Sequence, residues 1–207
     1  MGYAQALLSH PGRVSHGSAQ AVHVMSKTLD STFFARPTVA VAAELIGKFL
    51  VRERQGVREA HLITEVEAYD GFDDRASHAF RGRTARNAVM FGPAGVLYVY
   101  FTYGMHHMLN VTTGPVEYPA AILVRGVAGI RGPGRLTKAL GITRDLDRLP
   151  AVPATGLWFE DRGVAVKKRD IERTPRIGVA YAGPRWAGKK WRFVLKTGPA
   201  IEGGGPA

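Results

Sequence analysis

Apolar positions recur with two different periods along the chain, and each change of period marks out an element. From Pro37, the residues Val41, Leu45 and Ile46 return at helical spacing, with Pro37 suited to the entry and Gly47 to the exit, which predicts a short helix. Phe49, Leu50 and Val51 then open a strand. Across residues 61–69, Leu62, Thr64, Val66 and Ala68 alternate with Ile63, Glu65, Glu67 and Tyr69, so Glu67 and Tyr69 share one face of a second strand. Residues 71–86 are polar and turn-rich, which predicts a surface loop that ends in a short helix near residues 87–91. The run 96–103 (VLYVYFTY) is branched and aromatic throughout. With Gly104 as the turn and residues 108–113 as the return strand, it predicts a hairpin. Residues 120–127 form another strand, apolar except for Arg125, and Gly132-Pro133-Gly134 leads into a helix over 135–140. Beyond Pro150, residues 158–159, 176–181 and 191–195 predict further short strands.

These elements, strands interleaved with short helices and including one hairpin, describe an α/β (α+β) chain. The domain spans residues 31–200. Residues 1–30 lack a periodic apolar face and are expected to be a flexible extension, and the Gly-rich residues 201–207 a disordered tail. A chain of 207 residues has room for one such core. No window approaches the ~20 apolar residues that span a bilayer, and no signal-peptide pattern opens the chain. The expected location is therefore the cytoplasm beside the nucleoid, or the nucleus of a eukaryote. The absence of cysteine rules out a disulfide framework, a thiolate zinc site and a Cys nucleophile. Lys and Arg number 28 against 17 Asp and Glu, so the net charge is 28 − 17 = +11, which predicts a polyanionic partner, nucleic acid first among them.

Several residues stand out against this pattern. Glu67 is either a general base on a buried strand face or a solvent-facing carboxylate on an edge strand. Arg125 is a charge in an apolar strand. His78 lies in the polar loop, as a surface group or as part of a pocket. His106 and His107 are adjacent and would point to opposite faces of a strand, and no HExxH or DxDxDG pattern occurs, so no metal site is expected. The phosphate-binding signatures GxxxxGK[ST] and GxGxxG are absent as well. The turn before Arg135 is either a phosphate contact or an ordinary helix start. Basic residues crowd the stretch beyond Glu160, Arg176 and Arg192 among them, as on nucleic-acid surfaces. Tyr103, beside Gly104 at a hairpin tip, has nothing beneath it to pack on and is either a surplus surface aromatic or a wedge between bases.

Taken in order, LIGKFLVR (45–52), TEVEAYDG (64–71), DDRASHAFRGRTARN (73–87), MFGPAGVLYVYFTYGMHHMLNV (90–111), AILVRG (121–126), GPGRLTKALGI (132–142), PRIGV (175–179) and WRF (191–193) resemble the alkyladenine, or 3-methyladenine, DNA glycosylases. The resemblance implies a single compact α/β (α+β) domain with a mostly antiparallel, curved sheet, surrounding short helices and a protruding DNA-inserting hairpin. It also implies a monofunctional enzyme that flips damaged purines out of double-stranded DNA and hydrolyses the N-glycosidic bond, starting base-excision repair. It implies Glu67 as the base that activates water, with Arg125 positioning it. Tyr69, His78 and Tyr100 would sandwich the flipped base, and Asn110 would read its edge. Tyr103 and Met105 would enter the helix, with Thr84, Arg86 and Arg135 on the DNA backbone. No lysine falls on a matched catalytic position, so no Schiff base is expected. Neither metal nor cofactor is implied, and the protein would act as a monomer with no membrane partner. The alternative is a non-catalytic damaged-DNA-binding protein on the same scaffold. A third class, an RNA-binding protein, would use platforms for single strands, against which the hairpin wedge argues. Three departures stand out: six residues only between Arg125 and Gly132, Ala85 in place of a proline, and Arg135 in place of a lysine.

Overall fold

A computed structural model describes residues 26–196. The chain enters on β1 (Lys27–Thr28), passes through the one-turn helix α1 (Ser31–Phe34) and then α2 (Thr38–Leu45), and forms a hairpin of β2 (Phe49–Arg54) and the long β3 (Val57–Asp70). A loop and a 3-10 turn at Ala88–Phe91 lead to a second hairpin, β4 (Leu97–Thr102) and β5 (His106–Thr112). Then follow β6 (Ala120–Val127), β7 (Ile130–Arg131), α3 (Pro133–Ala139), β8 (Leu157–Asp161), β9 (Ile171–Thr174), α4 (Pro184–Ala187) and β10 (Arg192–Leu195).

The strands run in the order β1-β8-β2-β3-β6-β5-β4, with β10 and then β9 added beside β3, and β7 beside β6. Every strand pairing among the described residues is antiparallel. β3 organises the sheet. Its first half pairs with β2, Leu62 opposite Phe49, and its second half lies between β6 and β10, Glu67 opposite Leu123 on one side and Arg192 on the other. Residues in the second half are therefore interior to the sheet. The main core lies between this sheet and the helices, where Phe34, Leu45, Leu50, Ile63, Leu109 and Phe159 are removed from solvent. Each such side chain contributes about 1.5–3 kcal/mol of burial. The one-turn α1 cannot hold itself, and Asp30 caps it: its carboxylate accepts from the backbone N of Thr32 at 3.0 Å and of Phe33 at 3.2 Å.

The expected antiparallel sheet, short helices and hairpin of residues 96–113 are present, and four local expectations change. Ordered structure begins ahead of residue 31, because Lys27 and Thr28 pair with Asp161 and Glu160 and Leu29 is buried. The rest of the expected extension, and the Gly-rich tail, lie outside the described residues. Residues 176–181 are not a strand: Arg176 turns inward, Gly178 takes φ +76°, and Ala180–Ala182 form a 3-10 turn. The strand of that region is β9, which pairs with β10. The polar loop 71–86 is only half a surface loop, since Asp74, Ala76, Ser77 and Ala79 are buried. The helix expected over 135–140 is α3, which starts earlier because Pro133 occupies its first turn. The short segment between Arg125 and Gly132 is a tight hairpin in which Val127 faces Ile130. No helix among the described residues is long and apolar enough to cross a membrane.

Candidate active site

Glu67 has no exposure to solvent. Its position between β6 and β10 removes the edge-strand alternative and obliges the carboxylate to find partners inside the protein. It finds three donors. Oε2 accepts from the Tyr69 hydroxyl at 2.9 Å and from Arg125 Nη1 at 3.2 Å, and Oε1 accepts from the backbone N of Ile177 at 2.8 Å. Arg125 reaches it through an irregularity of the β3–β6 ladder. Ile63 faces Val127 and Glu65 faces Gly126, so Thr64 is an extra residue on β3. Glu65 faces Gly126 and Val66 faces Val124, so Arg125 is an extra residue on β6. A bulged residue leaves the strict alternation of its strand, and here the bulge aims the guanidinium at Glu65 and Glu67.

Charge at this point is balanced. Glu65 Oε1 accepts from Arg125 Nε at 2.8 Å and from Arg192 Nε at 2.7 Å, so two carboxylates share two guanidiniums. Burial alone would raise the Glu65 carboxyl, but hydrogen bonds from Arg192 and Arg125 outweigh it and hold the group below its ordinary value. Burial would lower Arg125, but the charges of Glu67 and Glu65 hold it above its ordinary value. Burial first, and then the Glu67 charge, push the Tyr69 phenol well above its usual range, so it stays a neutral donor.

Three more rings stand next to this cluster. The His78 and Tyr100 centroids are 4.7 Å apart, those of Tyr98 and Tyr100 5.1 Å, and His78 Nδ1 lies 3.1 Å from the Tyr98 hydroxyl. His78 sits at the rim with solvent on one side. The protein around its ring, and then the Arg86 charge, hold it below its ordinary value and keep the imidazole neutral at pH 7. Burial pushes the Tyr98 hydroxyl up to about 12 and that of Tyr100 higher still. The exposed Arg86 places its guanidinium 4.8 Å from the Tyr100 ring centre. Asn110, opposite Tyr98 in the hairpin, is buried and donates Nδ2 to the Tyr98 carbonyl at 3.1 Å. Its carboxamide is thereby fixed in orientation.

At the far end of the hairpin, Tyr103 is 82% and Met105 68% exposed. The backbone N of Met105 donates to the Thr102 carbonyl at 3.2 Å across a turn whose central residues, Tyr103 and Gly104, have φ +53° and +66°. Positive φ at both is the requirement of a type I′ turn, natural for Gly104 and strained for a tyrosine. Thr84 is exposed on the His78 loop, and the Asn87 carboxamide pins that loop by donating to the carbonyls of His78 and Gly82, both at 2.9 Å. Arg135 is exposed on α3, on the other flank of the hairpin, where Gly134 lies so close to the His106 ring that a Cβ would meet it at 2.9 Å.

The structure thus brings Glu67, Arg125, Tyr69, His78, Tyr100 and Asn110 to one end of the β3–β6–β5–β4 region, with Tyr103 and Met105 at the tip beyond. The partners that pattern alone missed are Glu65 as the second carboxylate, the Ile177 amide, Asn87 and the buried pair of Asp74 with Arg176. A cavity of about 490 Å³ opens beside His78, lined by Arg75, Phe80, Arg81 and Tyr181 among others. A buried carboxylate held by three donors, a set of rings beside it, and an exposed aromatic side chain at the hairpin tip are what the site offers chemically.

A family model described as methylpurine-DNA glycosylase matches residues 32–199. Among curated relatives, a protein of Anaeromyxobacter dehalogenans (strain 2CP-C) is 46% identical over 175 residues, which is 81% of this chain and 83% of that protein. One of Myxococcus xanthus (strain DK1622) is 44% identical over 187 residues, 86% of this chain and 95% of its own length. One of Methanocella arvoryzae is 43% identical over 194 residues, 84% of this chain and 95% of its own length. All three bear the name "Putative 3-methyladenine DNA glycosylase".

Proposed function

The chain belongs to the methylpurine-DNA glycosylase family, and from that premise we propose that it removes alkylated purines, 3-methyladenine and 7-methylguanine among them, together with deaminated and etheno purines, from double-stranded DNA. It does so as a monomer. The observation that carries this reading is the fully buried Glu67 carboxylate, held by Tyr69, Arg125 and the Ile177 amide beside a set of neutral rings.

The geometry supports the following sequence of events. Tyr103 enters the base stack with Met105 beside it and fills the gap that the flipped nucleotide leaves, because the glycosidic bond is out of reach in a stacked duplex. Arg86, Thr84 and Arg135 meet the phosphates on either side. The base lies among Tyr69, His78 and Tyr100, whose faces attract a cationic purine by about 0.5–2 kcal/mol each and do less for a neutral normal base. Asn110 presents its fixed carboxamide to the purine edge. As the bond from C1′ to the purine nitrogen breaks, the electron pair leaves with the base and positive charge grows on the sugar. Glu67 takes a proton from a water whose oxygen forms the new bond to C1′, and its charge stabilises the cationic sugar. Arg125 holds the Glu67 carboxylate aimed.

Glu67→Gln tests the reading. Glutamine keeps the shape, but its amide nitrogen cannot accept from Tyr69 or Arg125 and cannot take a proton from water. Loss of a general base costs ~10² to 10⁴-fold. Single-turnover release of 3-methyladenine is expected to fall by at least that much, while affinity for a duplex carrying an abasic mimic survives. A folded variant that excises at the wild-type rate would remove Glu67 from the mechanism.

A further inference from the structure

Arg176 and Asp74 are each fully buried and meet in a two-pronged ion pair, Nη1 on Oδ2 and Nη2 on Oδ1 at 2.8 Å. Neither belongs to the chemistry above. Buried ion pairs are weak stabilisers, because desolvation consumes most of the attraction, so such a pair in the wall of a reactive site calls for another account.

Its connections supply one. Arg176 Nη1 also donates to the carbonyl of Ala68, the residue after Glu67 on β3, at 2.9 Å. The guanidinium lies between two rings, 4.8 Å from the centre of Tyr69 and 5.1 Å from that of Trp191. The next residue, Ile177, donates its backbone N to Glu67 at 2.8 Å. On the other side of the pair, Asp74 Oδ1 accepts from the backbone N of Ala76 at 3.1 Å and Oδ2 from that of Asp70 at 3.2 Å, which folds the start of the loop that carries His78 four residues on. One contact therefore joins three separate stretches of chain: the strand of Glu67 and Tyr69, the loop of His78, and the turn whose amide bonds Glu67.

We propose that the Asp74–Arg176 pair is a positioning device for excision, which holds the base-stacking residues Tyr69 and His78 in fixed relation to the Glu67 carboxylate. This deepens the glycosylase reading and rests on it. Neither residue touches the substrate. Arg176 acts through the back of the Tyr69 ring and through the Ile177 amide, and Asp74 through the loop. A misplacement of about 1 Å at a reacting group costs on the order of 10²-fold in rate, so a device of this kind shows in the rate before it shows in affinity.

The test separates positioning from stability. Replacing a buried ion pair by apolar residues of similar volume is often neutral or stabilising. The double variant Asp74→Leu with Arg176→Met avoids a lone buried charge but leaves the Asp70 and Ala76 amides and the Ala68 carbonyl without these partners. It is therefore expected to stay folded at the assay temperature with a lowered Tm, to bind a duplex carrying an abasic mimic within about 3-fold of wild type, and to release 3-methyladenine on the order of 10² times more slowly in single turnover. Arg176→Lys is the second arm. It keeps the charge but loses the planar fork that serves Asp74 and Ala68 together, and its rate is expected to fall between the two. Wild-type rates in either folded variant would overturn the proposal. Failure of both variants to fold would overturn it too, by making the pair a requirement of the fold. Wild-type protein in the same assay tests the underlying reading by itself: if it releases no base, the function assigned above fails whatever the variants do.

Discussion

Replacing Tyr103 by asparagine is expected to make the protein more stable and less active. Tyr103 has φ +53°, in the left-handed region, where an ordinary L-residue carries a cost of about 1–2 kcal/mol that asparagine largely escapes. With Gly104 at φ +66° behind it, the substitution creates the Asn-Gly pair that type I′ turns favour. The ring is 82% exposed, so little burial is lost in exchange. The net gain is about 1 kcal/mol, which for a chain of this size raises Tm by roughly 2–4 °C. Activity moves the other way. Unstacking a base step costs a few kcal/mol, and a wedge that offsets about 2 kcal/mol of it changes the flipped population about 30-fold. Calorimetry reads the first quantity, and single-turnover excision beside binding to undamaged duplex reads the second. Undamaged binding is expected to hold within about 3-fold, since phosphate contacts elsewhere supply it. A higher Tm with unchanged excision would refute the wedge, and a lower Tm would refute the claim that the tip is strained for the sake of function.

Binding to duplex should weaken steeply with salt. The log–log slope should lose roughly 0.9 for each phosphate contact removed, so Arg86→Gln and Arg135→Gln should each flatten it by about that amount; slopes equal to wild type would take those residues off the DNA backbone. Acid should affect His78 in two ways. Its value in the folded protein lies below the ordinary one of about 6.5, so between the two the unfolded chain binds more protons. The stability it contributes is then complete above about pH 6.5 and lost as pH falls through the folded value. Once charged, it repels a cationic purine, so excision of 7-methylguanine should fall on acidification more than that of hypoxanthine, and His78→Asn should bring the two profiles together. Parallel profiles in wild type would contradict this.

Much of the layout was legible from alternation alone. The period of two over residues 61–69 placed Glu67 and Tyr69 on one face, and they are hydrogen-bonded in the structure. The run 96–103 with Gly104 gave the hairpin, and Tyr103 stood out at its tip. What alternation could not give was depth in the sheet. Glu67 is interior because β10, some 125 residues later, pairs with β3, and a pairing that distant leaves no local mark. Nor could composition tell which arginines face water: Arg176 and Arg192 lie in a basic stretch that resembles a nucleic-acid surface, yet one is buried against Asp74 and the other is bonded to Glu65. The polar loop misled for the same reason, since Asp74 reads as a solvated loop residue until its partner, about a hundred positions later, is known. Family resemblance named Glu67 and Arg125. It said nothing of how an arginine in an apolar strand comes to face a carboxylate on the neighbouring one.

That arrangement constrains how the gene can change. The extra residue Thr64 on β3 and the extra residue Arg125 on β6 lie one step apart and cancel, so the two strands are back in phase by the time Val66 meets Val124. Deleting either one alone would shift everything beyond it by one place and turn alternate side chains to the opposite face, core residues included. Deleting both together would leave the backbone in phase and remove the Thr64 side chain and the guanidinium. Length changes in this part of the sheet must therefore arrive in compensating pairs, and the pair already present cannot be removed without taking the guanidinium away from Glu65 and Glu67. The loop carrying His78, Thr84 and Arg86 is held instead by side chains, Asn87 at the His78 and Gly82 carbonyls and Asp74 at its start, so no strand register ties its length.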